Sequence, residues 1–165
     1  MCSGSPAASV PRRFRVTRRD DMSARQAIAE WNGALVTGSG TIQLATSGQG
    51  QFPYSLPARA ADAATMTSPE ELLAAAYASC YAMQLTALLD AGPDEPVGLH
   101  VEVVVTQGGP EVDFGIADVA LTVRGRGIGR SAEEFVGLAQ QAAQVCPVGR
   151  ALATVPKTVD AALQS

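Results

Sequence analysis

The chain has 165 residues, 47% apolar and 17% charged, with 12 Lys and Arg against 16 Asp and Glu. That size and balance indicate one globular domain and exclude global disorder. No run of about 18 apolar residues occurs, so no membrane span is expected.

Residues 1–24 read as an Arg-rich disordered tail. Five of the twelve basic side chains (Arg12, Arg13, Arg15, Arg18 and Arg19) lie there, among Ser, Pro and Ala and without hydrophobic periodicity. No apolar stretch of about 7 to 15 residues follows Arg12 and Arg13, so an export signal is not expected. An organelle transit segment is the alternative to a plain extension, and Met22 is a candidate start. From Met22 onward 7 basic side chains stand against 14 acidic ones, a net of −7. An acidic globule repels phosphate backbones, which argues against nucleic-acid binding.

Residues 25–165 read as a single domain. Residues 26–31 alternate as a strand, Asn32-Gly33 marks a turn, and 40–46 form the next strand. After a Gly/Gln-rich link, Phe52-Pro53-Tyr54-Ser55-Leu56 makes a third, whose proline suits an edge or a strand start. The best-defined helix covers 69–91, with Ser68 as N-cap, Pro69 at the first position, Glu71 completing a capping box and Gly92 as the stop. Its stretch from Leu72 to Met83 carries no charge, so it is expected to be buried on most sides, within the domain or between subunits. Strands follow at about 98–107 and 116–125. A second helix opens at Ser131 with Glu134 in the capping-box position, Cys146-Pro147 interrupts it, and 154–163 closes the chain as a strand. Strands and helices in separate runs give the α+β class.

Few residues bear chemistry. Cys2, Cys80 and Cys146 are too widely spaced for a redox pair or a paired-ligand zinc site. His100, the single histidine, sits in an alternating strand pattern and reads as structural. Cys80, mid-helix, reads by itself as a small buried hydrophobe. Pro147 suits the first position of a new short helix, which puts Cys146 at an N-cap, where the helix dipole favours thiolate.

Ser68-Pro69-Glu70-Glu71-Leu72-Leu73-Ala74-Ala75-Ala76-Tyr77-Ala78-Ser79-Cys80 resembles the first cysteine motif of the OsmC and organic hydroperoxide resistance (Ohr) family. Cys146-Pro147-Val148-Gly149-Arg150-Ala151-Leu152 resembles its second. Trp31-Asn32-Gly33, Gly38 to Thr41, and Pro53-Tyr54 followed by Arg59 extend the likeness from about residue 26 to 163. The resemblance implies an OsmC-like fold and an intertwined homodimer with two sites at the subunit interface. It implies a cytoplasmic thiol peroxidase that reduces organic hydroperoxides to alcohols in oxidative-stress defence, with no metal or bound cofactor. The reductant would be an external dithiol, often a lipoylated protein. Cys80 takes the place of the peroxidatic cysteine and Cys146 that of the resolving cysteine. Arg59 matches the arginine of the OsmC branch, and Glu70 the glutamate that holds it.

These residue types suit that chemistry. A thiolate attacks the peroxide O–O bond, and positive charge stabilises the departing alkoxide. The resulting sulfenic acid condenses with a second thiol before overoxidation, and a dithiol restores both. Small and apolar neighbours such as Leu72, Ala76 and Met83 suit an alkyl group. Two features resist the scheme. On a straight helix, Glu70 and Cys80 lie about 15 Å apart along the axis, so Arg59 must bridge them, the helix must bend, or a second subunit must contribute. Helix-end logic alone makes Cys146 the more acidic thiol. Tyr77 stands where OsmC members commonly have histidine, segment 60–67 is one residue longer than the pattern, and Cys2 has no counterpart. The rival reading is a non-enzymatic redox sensor or binding subunit using the same reversible disulfide.

Overall fold

In the computed structural model, which describes residues 23–61, 63–92 and 97–164, the chain forms two three-stranded sheets and two long helices. The expected tail, with Cys2, lies outside the described residues but for its last two positions. The first sheet is an antiparallel meander of β1 (Ile28–Asn32), β2 (Ser39–Gln43) and β3 (Gln51–Tyr54). Gly33, at φ 95°, supplies the left-handed residue that turns the chain after β1. Trp31 Nε1–H closes that turn by donating to the Gly33 carbonyl at 2.9 Å. Leu56, expected in the third strand, instead opens the one-turn helix α1 (Leu56–Arg59). Ser55 caps it by accepting the Ala58 N–H at 3.2 Å, and Pro57 fixes a helical φ in its first turn, so local capping overrides the strand pattern.

Helix α2 spans Pro69–Leu89. Ser68 caps it by accepting the Glu71 N–H at 3.1 Å. The capping box does not close as expected, because the Glu71 carboxylate accepts the Thr67 hydroxyl at 2.7 Å instead. The helix also ends earlier than Gly92: Asp90 takes the left-handed conformation at φ 47°, which a short polar side chain tolerates. Arg130 Nη2 donates to the Leu89 carbonyl at 2.9 Å and satisfies one orphan acceptor of that end.

The second sheet joins β4 (Gly98–Gln107) and β5 (Ile116–Arg126) in antiparallel register, with β6 (Lys157–Leu163) parallel to β5 on its other side. A parallel neighbour requires a crossover. Helices α3 (Ala132–Val145) and α4 (Pro147–Ala151) provide it. The Ser131–Glu134 capping box is complete here, with bonds of 3.2 and 2.9 Å. β6 starts three residues later than expected because Val155 N–H closes a turn onto the Leu152 carbonyl at 3.0 Å.

Tyr77, Tyr81, Leu85 and Leu89 form the buried stripe of α2, spaced four residues apart. They meet Val119, Leu121 and Val123 of β5 and Phe135, Ala139 and Ala142 of α3 in the core. The chain itself covers only that side of α2. Ala75, Ala76 and Ser79 are exposed, and Met83 is 68% exposed. By length and composition alone α2 could cross a bilayer, since Ser79, Gln84 and Thr86 dilute its apolar run only slightly. Its stripe is packed on α3 and β4, as in a core helix. The first sheet has no such partner: β1 is exposed along its whole length, and the meander barely touches the rest of the described chain.

Candidate active site

Cys80 sits on α2, one turn past Tyr77 and beside the buried stripe, where it is half-buried. Cys146 is the C-cap of α3 and the N-cap of α4. Its N–H completes α3 by bonding the Ala142 carbonyl at 2.9 Å, and Pro147 starts α4 after it. The break swings the Cys146 side chain toward α2. Its Sγ donates to Cys80 Sγ at 2.7 Å, so two thiols 66 positions apart in sequence are in contact.

The helix-end expectation for Cys146 is overturned. The backbone amides of Gly149 and Val148 do favour its thiolate, but burial, aided by the bond to Cys80, outweighs them and pushes the thiol pKa up. Cys146 is fully buried and keeps its proton. Desolvation at this helix N-terminus therefore exceeds the dipole of a five-residue helix.

Arg59 ends α1, and Glu70 sits in the first turn of α2. They form a two-pronged ion pair, Nε to Oε2 at 3.1 Å and Nη2 to Oε1 at 2.5 Å. Partial burial works to raise the Glu70 carboxyl, but the Arg59 guanidinium, its own backbone amide and Ser68 outweigh that and hold it below the usual range. Glu70 in turn raises Arg59, so both stay charged. A carboxyl with a depressed folded pKa stabilises the fold fully above its unfolded value of about 4.3 and loses that contribution as pH falls through the folded value. Wild type is therefore expected to be more stable than Glu70→Gln at neutral pH, with the gap closing only below about pH 4. Urea unfolding across that range checks this, and a gap that closes near neutrality would contradict it.

The structure thus brings Cys80 to Cys146 and Arg59 to Glu70, but it does not join the two pairs within one chain. Among the described residues, every side-chain hydrogen bond of Arg59 goes to Glu70. The helix runs unbroken between Glu70 and Cys80, so about 15 Å of axial rise separates them. His100 lies on the exposed side of β4, opposite Arg124. No group of three or more metal-ligating side chains occurs among the described residues.

A mainly apolar cleft of about 530 Å³ lies between β3 and the N-terminal part of α2, lined by Phe52, Pro53, Thr65, Met66, Leu72 and Ala75 among others; none of Arg59, Glu70, Cys80 and Cys146 lines it. The described part of segment 60–67 forms one wall. A larger cleft of about 750 Å³ opens between α3, α4 and β6 beside Gln140, Arg150 and Lys157, and neither sulfur lines it.

Sequence reasoning noted Tyr77 as a departure without giving it a place. Tyr77 and Tyr81 are both fully buried beneath the thiols, and their hydroxyls reach the Ala143 and Ala139 carbonyls at 3.5 and 2.7 Å. The available signal was Pro147. It cannot donate to the carbonyl four residues earlier, so a helix ending there needs another donor for Ala143.

Residues 62–160 match the family model described as OsmC-like protein. Peroxiredoxin OsmC of Escherichia coli strain K12 is 31% identical over 124 residues, which cover 75% of this chain and 86% of that protein. Among solved structures, an organic hydroperoxide resistance protein from Elizabethkingia anophelis superposes with a TM-score of 0.64 at 20% identity, over 88% of this chain and 100% of the other. The organic hydroperoxide resistance protein OhrB of Bacillus subtilis gives 0.57 at 26% identity, over 84% and 98%. With the family motif spanning both cysteine segments and the fold shared from the meander to β6, this chain belongs to the OsmC family.

Proposed function

We propose that this protein is a cytoplasmic thiol-dependent peroxidase that reduces organic hydroperoxides to alcohols in oxidative-stress defence. The observation that carries the reading is the contact between a reachable thiol and a buried one, Cys80 and Cys146, at 2.7 Å. Cys80 thiolate attacks the terminal peroxide oxygen, the O–O bond breaks, and the alkoxide leaves and takes up a proton as the alcohol. Cys80 is then a sulfenic acid. Cys146 sulfur attacks it, an S–S bond forms, and the hydroxyl departs with the Cys146 proton as water. An external dithiol reduces the disulfide by two exchange steps and is itself oxidised to a disulfide. A lipoylated protein fits that role. No step calls for a metal or a bound cofactor.

Burial divides the labour. A hydroperoxide from solvent meets half-buried Cys80 before fully buried Cys146, and the protonated Cys146 waits for the sulfenic acid. Arg59, held by Glu70, supplies positive charge to the departing oxygen. Because that pair stands about 15 Å along α2 from Cys80, the active form is an intertwined homodimer in which Arg59 of one subunit serves Cys80 of the other. The uncharged outer face of α2 and the exposure of β1 along its whole length support such a dimer. The apolar cleft beside Leu72 suits an alkyl substituent.

Turnover tests the reading. With dithiothreitol or dihydrolipoamide, the purified protein is expected to consume many equivalents of cumene or tert-butyl hydroperoxide per site. Consumption that stops at one equivalent in the presence of dithiol would favour a redox sensor instead.

A further inference from the structure

The Ala143 carbonyl lacks its helical partner. In an α-helix it accepts the N–H of residue 147, and residue 147 is a proline with none to give. The ladder of α3 therefore stops at the bond from Cys146 N–H to the Ala142 carbonyl. The Tyr77 hydroxyl stands in for the missing donor at 3.5 Å, the long end of hydrogen-bonding range, in a fully buried position where an unpaired carbonyl and phenol would both be costly.

The same hydroxyl touches the far side of the break. A methyl group at Gly149 would lie 2.7 Å from Tyr77 Oη and 2.7 Å from the Ala143 carbonyl oxygen, so only glycine fits there without displacement. Gly149 and Val148 lie in the first turn of α4, next to Cys146, and their amides favour its thiolate without capping the sulfur by a hydrogen bond. Tyr77 thus seats both the end of α3 and the first turn of α4, the two pieces of backbone that hold Cys146. Tyr81 makes a shorter bond, 2.7 Å, but to Ala139 inside the intact part of α3. The two rings pack edge to face, with centroids 6.4 Å apart.

We propose that the Tyr77 hydroxyl is a positioning group for the resolving step, holding Cys146 Sγ within reach of Cys80 so that the sulfenic acid condenses before a second hydroperoxide oxidises it. The proposal rests on the peroxidase reading above. Tyr77 transfers no proton in this role, since burial, with Cys146 and Cys80 nearby, pushes its hydroxyl pKa up to about 12.

Reduced wild type, Tyr77→Phe and Tyr81→Phe are mixed rapidly with cumene hydroperoxide. Loss of hydroperoxide reports attack by Cys80, formation of the Cys80–Cys146 disulfide reports resolution, and peptide mass reports sulfinic acid at Cys80. Tyr77→Phe is expected to attack within about twofold of wild type, to resolve on the order of tenfold more slowly, and to accumulate sulfinic acid. Tyr81→Phe, which loses the shorter bond, is expected to resolve like wild type. Wild-type resolution in Tyr77→Phe, or equal slowing in both variants, overturns the proposal. If Tyr77→Phe does not fold, Gly149→Ala displaces the same hydroxyl from the other side, and wild-type resolution there overturns it equally. Diamide separates the two levels of inference, because it closes the disulfide without a peroxidase step. A wild type inert to hydroperoxide removes the peroxidase reading, while diamide closure that does not distinguish Tyr77→Phe from Tyr81→Phe removes the role of Tyr77.

Discussion

Cys80→Ser is expected to abolish hydroperoxide turnover, a loss on the order of 10³-fold or more, because serine at neutral pH offers no comparable nucleophile. Cys146→Ser is expected to behave differently. Attack at Cys80 stays intact, so one equivalent is consumed per site and oxidised Cys80 then accumulates, passing to sulfinic acid as more hydroperoxide is added. The asymmetry follows from burial: Cys146 lies fully inside the core at the α3–α4 break, whereas Cys80 is only half-buried on α2. Hydroperoxide loss and intact mass, followed together, read both outcomes. Equal activity in the two variants would contradict the assignment of roles, and a first turnover lost in Cys146→Ser but kept in Cys80→Ser would reverse it.

Arg59→Ala is expected to slow attack on the order of 10²-fold, the scale of removing one charge-stabilising donor from a reacting oxygen. Glu70→Gln should fall short of that, since it loosens the guanidinium without removing it. The more informative experiment mixes two inactive chains. If Arg59 of one subunit serves Cys80 of the other, an Arg59→Ala/Cys80→Ser heterodimer has one complete site and one doubly damaged site. Random exchange of subunits then restores about a quarter of wild-type activity from parents that have little. Activity that stays at the sum of the parents would place Arg59 and Cys80 of the same chain together and contradict the axial separation along α2.

What was legible in the sequence was what is encoded locally. The start of α2 could be read at Ser68-Pro69, and that of α3 at Ser131 with Glu134, because a cap and its amide lie three residues apart. The breaks at Gly33 and Pro147 were legible for the same reason. Helix α1 was missed because a single turn carries no periodicity, and its signal, Ser55 followed by Pro57, sat inside a short apolar run. The ending of α2 at Asp90 was missed because glycine is the commoner left-handed residue and one stood two positions further on.

At the site, sequence alone left Cys80 as a small hydrophobe and favoured Cys146 as the acidic thiol. Burial overturns the acidic reading of Cys146, and burial is a tertiary property: Cys146 shares one buried cluster with Tyr77 of α2, 69 positions away in sequence. The pairing of Arg59 with Glu70 was suggested by family resemblance, not by spacing, since the two side chains sit on different helices joined by an irregular loop. The distance between Glu70 and Cys80, by contrast, follows from helix geometry and counting, and it is the reason a second subunit enters the account.

The most direct test of the central claim is a peptide map of reduced wild-type protein after one equivalent of cumene hydroperoxide per site, quenched with an alkylating agent. A disulfide-linked pair of peptides containing Cys80 and Cys146 is expected, with Cys2 alkylated. Hydroperoxide consumed while both Cys80 and Cys146 are recovered alkylated would contradict it.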